Sequence, residues 1–265
     1  HQRDSIKKIE AGMDAGYHSW GDASRTGSGK TYAALVAALM AVQRCKDSQW
    51  SGVLVALPKP DLIKTWKAEI EKHTTGWHTV YHKAGTEIGH IHQNTLVVST
   101  LARIRDNPTR HPWAMYIVDE CLSVKNDGAK WTQEAWRQAL ASRYVLLLSA
   151  TFMRSKVGEL YYMLGMLQTG LPVQKDYLDA ILISRINRRI PESPATWTEY
   201  THRIQLKPAD RVIYQQARET AGGDKKVWGA CVRALRNTNI RRTLIKALRR
   251  LIRSLEEEGR RILFF

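Results

Sequence analysis

The sequence predicts an α/β fold: a mainly parallel sheet flanked by helices, followed by a mostly helical basic extension. Three observations predict it. Short, continuous apolar runs recur in the first part of the chain, the pattern of strands covered on both faces. Segments with helical spacing separate those runs, as in a doubly wound sheet. After about Leu171 the strand-like runs give way to helical patterns rich in arginine.

Residues 31–45 (TYAALVAALMAVQRC) are apolar nearly all round, which predicts a central helix packed on the sheet. Residues 52–57 form the first buried strand, and a helix over 61–73 follows Pro58 and Pro60. Strands are expected at 95–98, 115–118 and 144–148. A helix over 130–140 spaces Trp131, Ala135 and Ala139 four apart, with Trp136 and Leu140 beside them, and is expected to turn that stripe to the core. Residues 190–201, holding Pro191 and Pro194, read as a connection, and 203–206 as a strand. A helix over 208–221 carries Pro208 at its first turn. A helix over 239–258 places Ile240, Leu244, Ala247, Leu248, Leu251, Ile252 and Leu255 on one stripe, and Gly259 ends it. The expected organisation is a nucleotide-binding lobe over 1–170, a helical extension over 171–258, and the start of a further lobe over 259–265.

The 265 residues suffice for a sizeable core. No apolar run approaches the roughly 20 residues of a membrane span, which excludes an integral helical membrane protein. The opening His1-Gln2-Arg3-Asp4 is polar, reads as no secretory leader and lacks an initiator Met, so a piece of a longer intracellular polypeptide is expected. Lys and Arg number 41 against 25 Asp and Glu, a net charge of +16 that points to a polyanionic partner, most simply nucleic acid. Cys45, Cys121 and Cys231 form no CxxC pair and are odd in number, which argues against a disulfide framework or zinc ribbon and for a reducing compartment.

Ser24-Arg25-Thr26-Gly27-Ser28-Gly29-Lys30-Thr31 has the spacing of a phosphate-binding loop, with Ser24 where the pattern opens on glycine. Gly27 and Gly29 let backbone N–H groups turn inward. Lys30 supplies a charge for the β- and γ-phosphates, the Thr31 hydroxyl can ligate Mg²⁺, and the helix that follows adds its N-terminal dipole. The expected cofactors are therefore ATP and Mg²⁺. Asp119-Glu120 ends an apolar strand; an aspartate there can hold Mg²⁺ through water, and the next glutamate can polarise an attacking water. Ser149-Ala150-Thr151 ends the next strand, where Ser149 and Thr151 could couple the nucleotide to a neighbouring domain.

In this order, TGSGKT, DE and SAT resemble the motifs of superfamily-two helicases and translocases. Further stretches resemble the Swi/Snf-type branch: residues 53–59 with Trp66 and Glu69 look like its motif Ia, residues 97–100 like motif Ib, and Asp119 to Asn126 like its DEAH-then-Lys-Asn signature. Residues 158–164 resemble the helix after motif III, and 259–264 the start of the second RecA-like lobe. The resemblance implies a RecA-like ATP-binding lobe, Gln2 at the adenine, Pro58, Lys59, Ser99 and Thr100 on nucleic acid, duplex DNA as the track, and arginine fingers from a second lobe. Residues 1–265 alone are then expected to turn ATP over slowly. Ser24-Arg25 stands where the family has Asp-Glu, Leu122 where it has His, and SAT is the general helicase triplet. A viral or phage helicase-like translocase fits the same pattern. An RNA or single-strand helicase and a nucleotide-gated binding module remain as alternatives.

His73, His78, His82, His90 and His92 crowd one region, but no cysteine accompanies them and they read as loop and strand residues rather than metal ligands. Trp66 is expected to pack its helix on the sheet, and Cys121 to be a small buried residue. Arg185, Arg188 and Arg189, then Arg233, Arg236, Arg241, Arg242, Lys246, Arg249, Arg250 and Arg253, offer a basic face for nucleic acid.

Overall fold

A computed structural model of the chain describes residues 2–83, 85–153, 157–188, 205–224, 227, 231 and 239–257. Seven parallel strands, β1 (Ser19–Asp22), β2 (Ser51–Leu57), β3 (His78–His82), β4 (Thr95–Thr100), β5 (Trp113–Asp119), β6 (Tyr144–Leu148) and β7 (Ile186–Asn187), make one sheet in the order β3-β4-β2-β5-β6-β1-β7. The apolar runs at 52–57, 95–98, 115–118 and 144–148 all lie in strands, and the central ones carry side chains buried on both faces. Each such Val or Leu contributes about 1.5–3 kcal/mol of burial.

Helices α1 (Gln2–Asp14), α2 (Lys30–Arg44) and α3 (Leu62–His73) cover one face, where Ile9, Leu35, Ala38 and Trp66 meet Val53, Val55 and Ile117. Helices α4 (Leu101–Asp106), α5 (Lys130–Ala141), α6 (Val157–Gly165) and α7 (Leu178–Arg185) cover the other, where Ile104, Ala135, Met163 and Ile181 meet Leu54, Tyr116 and Leu147. A β-carbon on Gly12 would come within 2.7 Å of the Trp20 indole nitrogen, so α1 sits close against β1 only because residue 12 is glycine.

Several expectations are corrected. The buried side of α5 is Thr132, Glu134, Ala135, Gln138 and Ala139, while Trp131 and Leu140 face outward at 41% and 61% exposure. A polar network sets that rotation: the Gln138 side chain accepts from Trp113 Nε1 at 3.1 Å and donates to the Thr109 carbonyl and the Glu134 carboxylate. The chain forms two compact units. The first compact unit is His1–Pro194, because β7 pairs with β1 and Lys8 Nζ donates to the Ile183 and Ile186 carbonyls. The second unit, Ala195–Phe265, contains α8 (Pro208–Ala221) and α9 (Asn239–Glu257). Of the expected strand at 203–206, Gln205 and Leu206 are irregular, and Arg203 and Ile204 lie outside the described residues. In α9, Leu248 is 45% exposed, so the expected apolar stripe is open at that position. Residues 189–201 and 259–265, with Arg189, Arg233 and Arg236, lie outside the described residues. Among the described residues, no helix is long and apolar enough to cross a membrane.

The histidines enter the fold as side-chain partners. His82 is buried at the end of β3; Arg103 Nε donates to its Nε2 at 3.2 Å, and its Nδ1 faces Ser99 Oγ at 3.1 Å. With Nε2 accepting, the ring is neutral with its proton on Nδ1. Burial, then the Arg103 charge, hold its pKa below the usual 6.5; burial does the same at His18 and His111. A depressed folded pKa means that the unfolded chain takes up more protons below 6.5, so this stability is complete above 6.5 and is lost as pH falls through the folded values. Thermal melts should therefore give a lower Tm at about pH 5.5 than at about pH 7.5, and His82→Asn should narrow the difference.

Candidate active site

Because all seven strands are parallel, the loops that follow them emerge on one edge of the sheet. The phosphate loop follows β1, Pro58-Lys59 follow β2, Thr100 closes β4, Asp119 closes β5 with Glu120 after it, and Ser149 follows β6. Motifs separated by more than a hundred residues meet there because parallel order leaves them no other place.

The loop begins at Asp22, whose buried carboxylate accepts from the Ser24 amide at 2.9 Å. Ser24, in the position of the pattern's first glycine, is buried. Gly27 and Gly29 hold φ of 78° and 81°, the left-handed conformation from which anion-binding nests of backbone N–H groups are built. Lys30 opens α2, and its Nζ donates to the Ser24 and Arg25 carbonyls at 2.7 and 3.0 Å. Ser28 Oγ is buried without a hydrogen-bond partner. Gln2 Nε2 lies 3.5 Å from the Ser28 carbonyl, so the structure sets Gln2 on the phosphate loop itself. Thr26 is exposed and Thr31 half-buried at the helix start.

These residues fit a nucleotide: a left-handed glycine nest, an orphan hydroxyl, a lysine resting on two neutral carbonyls, and a helix N-terminus. Gly29→Ala tests the loop geometry. A β-carbon there would fall 1.8 Å from Gln2 Nε2, which can swing away, but the left-handed backbone remains strained. Chemical denaturation should show a loss of about 1–2 kcal/mol, with weakened nucleotide binding by titration.

On β5, Asp119 Oδ1 accepts from the Glu120 amide at 2.9 Å, and Oδ2 accepts from the Trp66 indole nitrogen at 2.8 Å. Glu120 itself is left-handed, with φ 47° and ψ 51°, an uncommon state for a residue with a β-carbon that turns its carboxylate out of the strand line. Ser149 bridges the two halves of the site. Its amide donates to the Asp22 carbonyl at 3.1 Å, and its hydroxyl lies 3.3 Å from Glu120 Oε2 and 2.8 Å from the Thr151 carbonyl. Cys121 is fully buried, and burial with the Glu120 and Asp119 charges pushes its thiol well above the usual range, so it is chemically inert.

Of the residues expected on nucleic acid, Lys59 is exposed and Pro58 half-buried at the head of α3. Thr100 caps α4 by accepting from the Arg103 amide. Ser99 is fully buried and its hydroxyl is paired with His82, so the structure keeps it inside the sheet. Two contacts were not legible from motif spacing. One is the Trp66–Asp119 bond. The other is Lys125 Nζ to Glu159 Oε1 at 2.8 Å, which ties the segment after Asp119-Glu120 to α6.

A family model for the DEAD/DEAH box helicase matches residues 1–160. The chain belongs to the DEAD/DEAH box helicase family. Within that family, the sheet described above is the first RecA-like lobe of a superfamily-two helicase, and ATP hydrolysis dependent on nucleic acid is the family's activity. Over 266 residues the chain is 39% identical to the "Putative helicase L115" of Acanthamoeba polyphaga mimivirus, a match that takes in 100% of this chain and 21% of that protein. The helicase chain thus spans about a fifth of that relative's length. Its fold matches the Sulfolobus solfataricus SWI2/SNF2 ATPase core in complex with dsDNA at a TM-score of 0.62 and 18% identity, over 97% of this chain and 64% of that one. The chain spans less than two thirds of that structure, and at such identity the likeness concerns the fold.

Proposed function

We propose that the protein is a nucleic-acid motor whose track is duplex DNA, with ATP bound at 24–31 and Mg²⁺ held by Thr31 and Asp119. The observation that carries this is the shared edge: Ser149 links the base of the phosphate loop to Glu120, and Lys59 projects from the neighbouring strand end. ATP supplies the phosphoanhydride bond, and Mg²⁺ neutralises its phosphates. The inward N–H groups and Lys30 bind and orient the phosphates. Glu120 takes the proton of the attacking water. A second RecA-like lobe is the expected source of the arginines that complete the charge.

Duplex DNA is favoured by the motif Ia and Ib resemblance, and the SWI2/SNF2 relative is described in complex with dsDNA. Strand-end hydroxyl and ammonium groups such as those of Thr100 and Lys59 hold phosphates without reading bases. In α9 the exposed Arg242, Lys246, Arg249, Arg250 and Arg253 offer a second basic surface. The SAT triplet favours an RNA track instead. Anisotropy titrations of the full-length protein across salt separate the two. The expected result is sequence-independent duplex binding that weakens steeply with salt, and a log–log slope reduced by about one in Lys59→Ala. Tighter binding to RNA, or a flat salt dependence, moves the track to the alternatives.

A further inference from the structure

We propose that Trp66 is a positioning residue that fixes the Asp119 carboxylate for Mg²⁺ and, through α3, ties its orientation to the Lys59 loop. The inference rests on Asp119 being the metal carboxylate.

Trp66 is 1% exposed, and its Nε1 donates to Asp119 Oδ2 at 2.8 Å while the Glu120 amide holds Oδ1. With a fixed donor on each oxygen, the carboxylate plane is set before any ligand arrives. An indole N–H can only donate, so it orients the carboxylate without competing for a cation. Packing alone would be served by any large apolar side chain at this position; the N–H is the part that reaches the site.

Helix α3 joins this bond to the nucleic-acid edge. The Leu62 and Ile63 amides donate to the Lys59 and Pro60 carbonyls, so the Pro58–Asp61 turn and the helix form one stiff piece. Trp66 lies four residues, about 6 Å of helical rise, beyond Leu62, where α3 leaves that turn. At the far end of α3, the His73 ring meets Tyr32 edge-on at 4.9 Å, one residue from Thr31 on α2. The helix that follows the candidate phosphate contact therefore reaches Asp119 through Trp66 and packs on α2 through His73. A shift of the turn on backbone binding carries Trp66 with it.

The test is Trp66→Phe in the full-length protein, which keeps an aromatic ring and removes the N–H. Four quantities are read: affinity for a fluorescent ATP analogue in EDTA, the Mg²⁺ dependence of that affinity, the Mg²⁺ needed for half-maximal turnover, and stimulation by duplex DNA beside DNA affinity without nucleotide. Loss of an outer partner of a metal ligand costs about 10-fold or more in metal affinity. The Mg²⁺ requirement should rise by that order in both binding and turnover, and DNA stimulation should fall. Affinity in EDTA and DNA affinity should stay at the wild-type level. An unchanged Mg²⁺ requirement overturns the inference, as does an equal loss of affinity in EDTA, which marks a packing role alone. Where Trp66→Phe folds poorly, the same measurements on protein carrying 3-benzothienylalanine at position 66, the isostere with sulfur in place of N–H, decide the matter. If Lys30→Ala retains ATP affinity, the functional assignment falls and this inference with it. If Lys30→Ala loses ATP and Trp66→Phe behaves as wild type, this inference alone falls.

Discussion

Replacing Lys30 with alanine is expected to weaken ATP binding by about 30-fold or more while leaving the melting temperature close to wild type. The two halves of that expectation have separate causes. Lys30 Nζ is held only by the Ser24 and Arg25 carbonyls, at a half-buried position on the first turn of α2. Its loss removes two loop contacts and no core packing, so the sheet and its helices stay intact. Toward a polyphosphate the same ammonium is the fixed positive charge at the mouth of the glycine nest. Truncating one partner of a hydrogen-bonded charge pair costs about 2–5 kcal/mol, a loss of about 30-fold to several thousand-fold in affinity. Isothermal titration with an ATP analogue, beside a thermal melt, checks both halves. Retained affinity with a normal melt would remove the loop from the site.

Glu120→Gln should separate binding from chemistry. The amide keeps an oxygen able to accept from Ser149 Oγ and preserves the side-chain volume, so ATP should bind with wild-type affinity. The proton acceptor is gone, and turnover should fall by about 10²- to 10⁴-fold. Single-turnover measurement with bound ATP isolates the step, because product release does not enter it. Near-normal turnover would assign water activation elsewhere; a parallel fall in affinity would make Glu120 a binding group instead.

How much of this was legible in the sequence depends on what fixed each element. Strands β2, β4, β5 and β6 are apolar on both faces, so their runs announce them. The phosphate loop has a backbone requirement that only glycines meet, and Gly27 and Gly29 state it. β1, Ser-Trp-Gly-Asp, has no strand pattern; it is a strand because β6 and β7 supply ladders on its two sides. β7 has two residues, and its pairing exists only in the assembled sheet. Trp131 has a core residue's spacing to Ala135, but the buried Gln138–Glu134 network turns α5 away from it. Ser99 carries the motif's hydroxyl, yet its partner His82 comes from a strand that is adjacent only in three dimensions. The Trp66–Asp119 bond crosses two elements in the same way. Periodicity reports a residue's own element, whereas these contacts depend on which element lies opposite.

The most direct test of the motor assignment is ATP turnover by the full-length protein, alone and with saturating duplex DNA, single-stranded DNA or RNA at one ionic strength. The expected result is a low rate without nucleic acid, the largest stimulation by duplex DNA regardless of its sequence, and no stimulation in Lys30→Ala. A rate that no nucleic acid changes would contradict it.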